Sequence, residues 1–197
     1  MSAIKAYKNL DFLTGREARS LRIRSEYIEP LERFRRYHVQ DTIVFFGSAR
    51  TLSRKDALAN LETAQAGGDD DGVARAERDV TMSRYYEDAR TIAGKLTAWS
   101  KGLEDSNRRF IVCSGGGPGI MEAANRGASE GAGISIGLGI SLPHEQFLNP
   151  YITRELDFEF HYFFMRKFLF VYLSKALVVV HGGFWTLDEL FEMLTLV

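Results

Sequence analysis

The stretch VVVHGGFWTLDELFEMLTLV, residues 178–197, decides the fold of this chain. The apolar run 176–180 at its start is typical of a buried strand, and the glycines 182–183 follow it as a turn. Apolar residues then recur at helical spacing, with Thr186 predicted as the helix N-cap and Glu189 at the capping-box position. A strand, a glycine turn and a capped helix can bind an anion such as phosphate, but an ordinary turn of an α/β protein has the same pattern.

A second strand–glycine–helix unit lies in the middle of the chain. Residues 109–113, RFIVC, are predicted as a strand, and SGGGPG at 114–119 leads from it into a helix. Glycines allow the backbone to approach a ligand closely, and Pro118 is tolerated near a helix start because its missing N–H would have no partner there. The unit has neither the dinucleotide fingerprint with its downstream acid nor the P-loop G-K-[ST]. It therefore disfavours redox chemistry and ATP hydrolysis, and no cofactor is predicted.

Further apolar segments complete the predicted sheet. Residues 42–46, TIVFF, and 134–138 are predicted as strands, and residues 158–160 are predicted to finish a short one. Gly47 and Ser48 follow the first strand, where nucleotides approach the sheet of an α/β protein, so Ser48 is a candidate ligand contact.

The order of these elements predicts an α/β fold, a Rossmann-like parallel sheet flanked by helices, as a single nucleotide-binding domain at residues 41–197. Residues 1–40 carry a series of arginines with interleaved apolar residues. This pattern predicts a helical arm of one or two short helices, broken near Pro30. The arm is interpreted as a solvated helix packed on the domain or as a cationic rim for an anionic ligand.

Composition limits the class of protein. A chain of 197 residues fits one domain, and a formal net charge of −1 argues against a general nucleic-acid binder. No window resembles a signal peptide or a membrane span. The single cysteine, Cys113, excludes an internal disulfide framework, and together these features predict a cytoplasmic protein. Because Cys113 ends an apolar strand, a buried hydrophobic role is preferred to that of a nucleophile.

Two polar clusters raise the question of a metal site. GGDDDG at 67–72 interrupts a helical region and is interpreted as an acidic turn, because its spacing supplies no second ligand set. His144 and Glu145 are adjacent in sequence, so they do not share a helix face as metal ligands, and we interpret them as polar loop groups. No metal site is predicted.

The segment 158–172, FEFHYFFMRKFLFVY, combines aromatic residues with Arg166 and Lys167. Its helical part is apolar around nearly the whole circumference, which predicts a self-association surface, with a central core helix as the alternative. Arg166 lies near the start of a helix that enters from the carboxyl edge of the sheet, the edge that the turn at 182–189 also leaves. We therefore predict that Arg166 and Glu189 share a cleft with both glycine turns, a cleft suited to a nucleoside monophosphate.

Three motifs resemble the LONELY GUY family: residues 114–121, Met165-Arg166-Lys167, and Gly182-Gly183-x-x-Thr186-x-x-Glu189. FFGSAR of the first strand and the loop LPHEQFLNPYI add to the likeness. Members of the family are cytokinin riboside 5′-monophosphate phosphoribohydrolases, often misannotated as lysine decarboxylases. The resemblance implies a dimeric Rossmann-like enzyme that needs no metal or cofactor and releases a free base and ribose 5-phosphate.

The resemblance also implies roles for individual residues. Arg166 and Glu189 match the catalytic pair of the family. The expected substrate and phosphate contacts are Ser48, Gly115, Gly116, Gly117, Gly119, Met165, Lys167, Gly182, Gly183 and Thr186.

The chain departs from the family signature P-G-G-x-G-T-x-x-E at two positions. His181 replaces the proline and Trp185 replaces the third glycine. An indole there is expected to fill the phosphate site or to re-route the turn, so a nucleotide-binding protein without hydrolysis is the alternative. Family members continue beyond this helix, so a fragment or a shortened protein with an exposed sheet edge is also expected.

Overall fold

The computed structural model of the protein describes residues 3–103, 107–141 and 148–196. Its sheet has five strands: β1 Thr42–Phe46, β2 Ile111–Ser114, β3 Ser135–Ile140, β4 Asp157–Phe160 and β5 Ser174–Val179. The helices are α1 Leu10–Thr14, α2 Arg19–Arg36, α3 Arg54–Gly67, α4 Asp70–Lys101, α5 Ile120–Glu130, α6 Phe163–Tyr172 and α7 Phe184–Thr195. Short 3-10 turns occupy Ala6–Lys8, Arg16–Ala18 and Arg154–Leu156.

All paired strands of the sheet are parallel, in the order β4-β3-β2-β1-β5. This order confirms the predicted α/β fold with a parallel sheet flanked by helices. β1 has its predicted bounds, and the other strands differ from prediction by one or two residues. The chain first moves outward from β1 to β4 and then returns to place β5 on the other side of β1. The change of direction between β1 and β5 is a topological switch point, where open α/β sheets bind ligands.

Helices cover both faces of the sheet. Successive residues of a strand face opposite sides, so an apolar strand such as β1 presents apolar side chains to both faces. Val44 and Phe46 pack in the cluster that also contains Phe34 of α2 and Phe170 of α6. Ile43 and Phe45 pack on the opposite side; their cluster holds Ala93 of α4 and Ala124 and Ala128 of α5. Small residues in this second layer let α4 and α5 approach the sheet closely.

The amino-terminal arm differs from prediction. α2 runs without a break from Arg19 to Arg36, so the expected break at Pro30 is wrong. Pro30 and Phe34 are both buried, and their spacing of four residues places them on the same helix face. Burial of that face offsets the one backbone hydrogen bond that proline removes.

The arm also contacts the segment that precedes α6. The two carboxylate oxygens of Glu26 accept hydrogen bonds from the backbone N of His161 at 2.8 Å and of Tyr162 at 3.1 Å. Tyr162 is the N-cap residue of α6 but provides no side-chain cap. The carboxylate of Glu26 therefore lies at the positive end of the helix that carries Arg166.

The interruption predicted at residues 67–72 exists but is confined to residues 68–69, because Asp70, Asp71 and Gly72 belong to the first turn of α4. α3 ends at Gly67, Gly68 takes the left-handed conformation with φ of 68°, and α4 begins at Asp70. Within the described ranges, no helix is long and apolar enough to cross a membrane.

Candidate functional site

A cavity of about 1250 Å³ lies at the switch point of the sheet. Its walls come from the segment after β1, the glycine turn after β2, the ends of β3 and β4, and the first turns of α6 and α7. Because all five strands are parallel, these loops leave the same edge of the sheet. The cavity is therefore lined by segments far apart in sequence.

The inner glycine turn, residues 115–119, forms one wall of this cavity. Gly116 and Gly119 have φ of 76° and 71°, a region that other residues rarely adopt. A Cβ atom on Gly119 would overlap the carbonyl oxygen of Ser48. Glycine is therefore required at this position for both conformational and steric reasons.

The outer glycine turn, residues 181–183, forms the facing wall and does not have the predicted cap. α7 begins at Phe184 with Gly183 as its N-cap, and no side chain caps it. Thr186 lies inside the helix, 5% exposed, and a Cβ atom on Gly182 would overlap its hydroxyl. The predicted capping box with Glu189 is therefore wrong. The first N–H groups of α7 have no partner within the helix and are available to an anion.

Ser48 connects the two turns through its backbone. Its N–H donates to the carbonyl oxygen of His181 at 2.9 Å, and its carbonyl oxygen accepts from the N–H of Ile120 at 3.0 Å. Its side chain accepts from the N–H of Arg50 at 3.1 Å. Ser48 lines the cavity, as predicted for a ligand contact, and it also fixes the distance between the turns.

The cavity contains a buried ion pair between Arg166 of α6 and Glu189 of α7. Nη1 of Arg166 donates to Oε1 of Glu189 at 3.1 Å, and Nε donates to the carbonyl oxygen of Leu138 at 2.6 Å. The Arg166 residue is only 7% exposed. The predicted meeting of Arg166 and Glu189 between the two glycine turns is thus observed.

Burial and the charge of the partner shift the pKa values of Arg166 and Glu189 in opposite directions. Burial raises the pKa of Glu189, and the nearby positive charge of Arg166 only partly counteracts the effect. Burial likewise lowers the pKa of Arg166, against the attraction of Glu189, but a guanidinium remains protonated at neutral pH. The site therefore presents a fixed positive charge and a carboxyl group that binds a proton more readily than an exposed glutamate does.

The two departures from the family signature both line the cavity. Trp185 is 68% exposed at the rim of the cavity, where its ring packs edge-to-face against Phe163 with centroids 6.0 Å apart. His181 stacks on Tyr85 at 5.7 Å. Of the two expected outcomes, the indole is not buried within the turn, and α7 begins at Phe184, ahead of the predicted N-cap Thr186.

Four expected substrate contacts are not among the described residues that line the cavity: Gly116 and Gly119 of the inner turn, and the two side chains Met165 and Lys167. Met165 is buried in the core cluster, and Lys167 pairs with Asp188 at 2.7 Å and Glu192 at 2.9 Å. Neither is among the described residues that line the cavity. On a helix, the neighbours of Arg166 point in other directions, so a sequence motif does not place three adjacent side chains in one site. Of the other expected contacts, Gly115, Gly117, Gly182, Gly183 and Thr186 line the cavity.

Sequence reasoning did not find several lining residues. Asp79 and Met82 come from α4, Met121 from α5, and Glu159 from β4, with its carboxylate accepting from the Ser141 hydroxyl at 2.7 Å. In β4, the sequence Phe158-Glu159-Phe160 alternates between apolar and charged residues, and the structure buries both phenylalanines. This alternation could have indicated that Glu159 faces away from the core. No comparable signal marks the α4 residues.

Cys113 and the possible metal ligands are the remaining candidates from the sequence. Cys113 is buried, and burial strongly raises the pKa of its thiol, as expected for a hydrophobic role. In the described part of the chain, no three metal-ligating side chains form a group. His144 and Glu145 lie outside the described residues.

The fold and the cavity define a Rossmann-like α/β protein with a ligand site at its switch point. The family model described as "Possible lysine decarboxylase" matches residues 121–197. This is the label under which LONELY GUY proteins are often found, and the match confirms the resemblance to that family over the segment from α5 to α7. A search of the curated proteins found no match.

Several solved structures are similar to the chain, and two of them serve as examples. The X-ray structure of TM1055 has 20% sequence identity, covers 79% of this chain and 69% of its own, and superposes with a TM-score of 0.50. The Moco carrier protein from Chlamydomonas reinhardtii has 17% identity, covers 79% of this chain and 71% of its own, and has a TM-score of 0.47. At this identity the TM1055 structure supports the fold alone.

Proposed function

We propose that the chain hydrolyses the N-glycosidic bond of a nucleoside 5′-monophosphate, such as AMP or a cytokinin riboside monophosphate. The products are the free base and ribose 5-phosphate. The observation that carries the proposal is the buried Arg166–Glu189 pair, at 3.1 Å, inside a cavity between two glycine turns. The family match over the same segment supports it.

The chemistry follows from the charge that develops during cleavage. When the C1′–N bond breaks, its electron pair leaves with the base and positive charge builds up on the ribose. The carboxylate of Glu189 stabilises that charge or takes a proton from the attacking water, whose oxygen forms the new bond to C1′. The proton that the water loses ends on the nitrogen of the departing base, which therefore leaves as the neutral free base. Arg166 holds the carboxylate in place and contributes positive charge for the phosphate. No step requires a metal or a redox cofactor.

The proposed phosphate site is the outer glycine turn with the start of α7. Free N–H groups at the start of a helix and the positive end of its dipole favour an anion. Gly182, Gly183 and Thr186 line the cavity there, and a Cβ atom on Gly183 would meet nothing within 4 Å. This open space suits a bound phosphate group.

The proposal is tested by incubating the protein with AMP and with isopentenyladenine riboside monophosphate and measuring the free base by chromatography. We expect release by the unaltered chain and its loss in Glu189→Gln, with nucleotide binding retained. The matched control is Glu192→Gln, since Glu192 lies on the same helix but pairs with Lys167 away from the lining residues. Equal activity of the Glu189→Gln variant would falsify the assignment.

A nucleotide-binding protein without hydrolysis is the second candidate. It is favoured by the exposed Trp185 at the cavity rim and by His181 in the outer turn. This alternative predicts that monophosphates raise the melting temperature while no base is released.

We also propose that the chain forms a homodimer through α6 and α7. Large apolar residues are exposed on both helices: Phe164, Phe168, Tyr172, Phe191 and Leu194. Burial of such a face against a second copy removes apolar area from water. Sedimentation velocity of the unaltered chain and of Phe191→Glu tests this, and a monomeric unaltered chain contradicts it. The proposed location is the cytoplasm, since the single cysteine suits a reducing compartment.

A further inference from the structure

Asn149 lies in the segment between β3 and β4, 7% exposed, against the inner glycine turn. Its Nδ2 lies 2.9 Å from the carbonyl oxygen of Gly116, 3.1 Å from that of Gly117 and 3.0 Å from Oδ1 of Asn125. Its backbone N–H also donates to the oxygen of Gly116, at 2.7 Å. A side-chain amide has two protons to donate, so three acceptors around Nδ2 use its full capacity.

Asn125 of α5 completes the arrangement and is fully buried. Its Oδ1 accepts from the hydroxyl of Ser114 at 2.7 Å, and its Nδ2 donates to the carbonyl oxygen of Ile136 at 3.3 Å. The Ser114 hydroxyl in turn accepts from the N–H of Gly116 at 3.1 Å. We call Ser114, Asn125 and Asn149 the amide clamp, because they connect β2, β3 and α5 to both sides of the inner turn.

The clamp acts on the wall that faces Arg166. A Cβ atom on Gly115 would lie 2.7 Å from Nη2 of Arg166, so the turn and the guanidinium are in close contact. The carbonyl oxygens of Gly116 and Gly117 are both directed to Asn149. Two oxygens that would repel an anionic substrate are therefore engaged by Asn149, which is not among the described residues that line the cavity.

We propose that Asn149 is a positioning residue for the reaction, because the amide clamp holds the inner glycine turn against Arg166 and turns its carbonyl oxygens away from the substrate. This inference rests on the proposed hydrolase function for its kinetic consequence. The position of the turn itself does not depend on that function.

Asn149→Asp is the decisive variant because it keeps the shape and removes the donor. Its carboxylate would face the three oxygens that Nδ2 now serves, and protonation at low pH would restore one donor. We expect kcat to fall by about 100-fold at alkaline pH, as for a displaced catalytic wall. The ratio of variant to unaltered kcat should rise as the pH is lowered, whereas in Asn149→Ala it should be low and independent of pH.

The control is Asn60→Asp, the same chemical change on the exposed side of α3. Use of the ratio at each pH cancels the titration of Glu189, which is common to both proteins. A ratio near one at every pH for Asn149→Asp overturns the proposal. Should that variant not fold, Ser114→Ala removes the acceptor of the Gly116 N–H; a smaller fall in kcat supports the clamp, and unchanged kcat overturns it.

A second measurement separates this inference from the proposed function. If the unaltered protein releases no base from either nucleotide, the hydrolase proposal has failed, and the clamp is judged from the backbone amide resonances of Gly115, Gly116 and Gly117. Shifted resonances in Asn149→Asp, with none in Asn60→Asp, support the clamp. Unchanged resonances in both variants overturn it.

Discussion

The inner and outer glycine turns arise from the same sequence pattern but differ in how they are held. The inner turn, residues 115–119, has two glycines with positive φ and is fastened by the amide clamp. The outer turn has extended backbone at Gly183, an uncapped helix after it and exposed residues at His181 and Trp185. The inner turn is held by side-chain hydrogen bonds, whereas the outer turn is the proposed anion site.

This difference explains why the chain tolerates a tryptophan in the family signature. Trp185 replaces a glycine in the outer turn, where the position points to the rim and the ring meets Phe163. The same replacement at Gly119 would overlap the backbone at Ser48. Gly119 of the inner turn therefore has a strict structural role, whereas Gly183 of the outer turn has a mild one.

Arg166→Gln should cause the largest loss of stability, because Arg166 contacts the inner turn and also pairs with Glu189 on the helix that follows the outer turn. It leaves Glu189 buried without its partner, which typically costs about 3–5 kcal/mol in the free energy of unfolding. Urea denaturation at fixed protein concentration measures the loss. Arg36→Gln, which removes an exposed pair on α2, should change the value by about 1 kcal/mol or less; equal losses in both variants would contradict the buried role.

Gly119→Ala and Gly183→Ala compare the two turns directly. The first places a methyl group against a backbone carbonyl at positive φ and should lower the free energy of unfolding by about 1–3 kcal/mol or more. The second enters open space and should stay within about 0.5 kcal/mol of the unaltered chain. Denaturation curves of the two variants measure both losses in the free energy of unfolding. A larger loss for Gly183→Ala than for Gly119→Ala would contradict the expected difference between the turns.

The pH profile of kcat/KM tests the chemistry next to the outer turn. Because burial raises the pKa of Glu189, the carboxyl group gains its proton at a higher pH than an exposed glutamate. Since the proposed role needs the ionised form, kcat/KM should fall as the pH drops, with the acidic limb above the ordinary glutamate value. Profiles from about pH 4 to 8 measure it. An acidic limb at or below the ordinary pKa of glutamate would show that burial does not raise the pKa of Glu189.

Trp185→Gly should have only a small effect on stability. The lost side chain is mostly exposed, and glycine in a helix costs about 1 kcal/mol relative to alanine. If the indole restricts entry at the rim, the KM for AMP should decrease in the variant while kcat stays the same. A thermal melt and steady-state kinetics check both, and a large loss of stability would show that the Phe163 contact matters more than its exposure indicates.

Local patterns predicted much of the fold. Apolar runs located β1 with its observed bounds and the other strands within one or two residues. The prediction of a buried strand at 176–180 is wrong, because β5 is an edge strand whose described residues are half-buried or exposed. Helix breaks and helix caps were less predictable. The predicted break at Pro30 was wrong because packing of Pro30 and Phe34 outweighed a local preference, and the predicted cap at Thr186 was wrong because α7 begins three residues earlier, with Gly183 as its N-cap.

The sequence by itself determined the parallel sheet, the two glycine turns and the meeting of Arg166 with Glu189, since strand and helix periodicity place their ends at one edge. Only the tertiary structure decided which neighbours enter the cavity. Met165 and Lys167 are adjacent to Arg166 in the chain but point to the core and to Asp188. Asn149 carries no local signal, because its partners on the inner turn are 32 and 33 residues away and are brought to it by the packing of β2 beside β3.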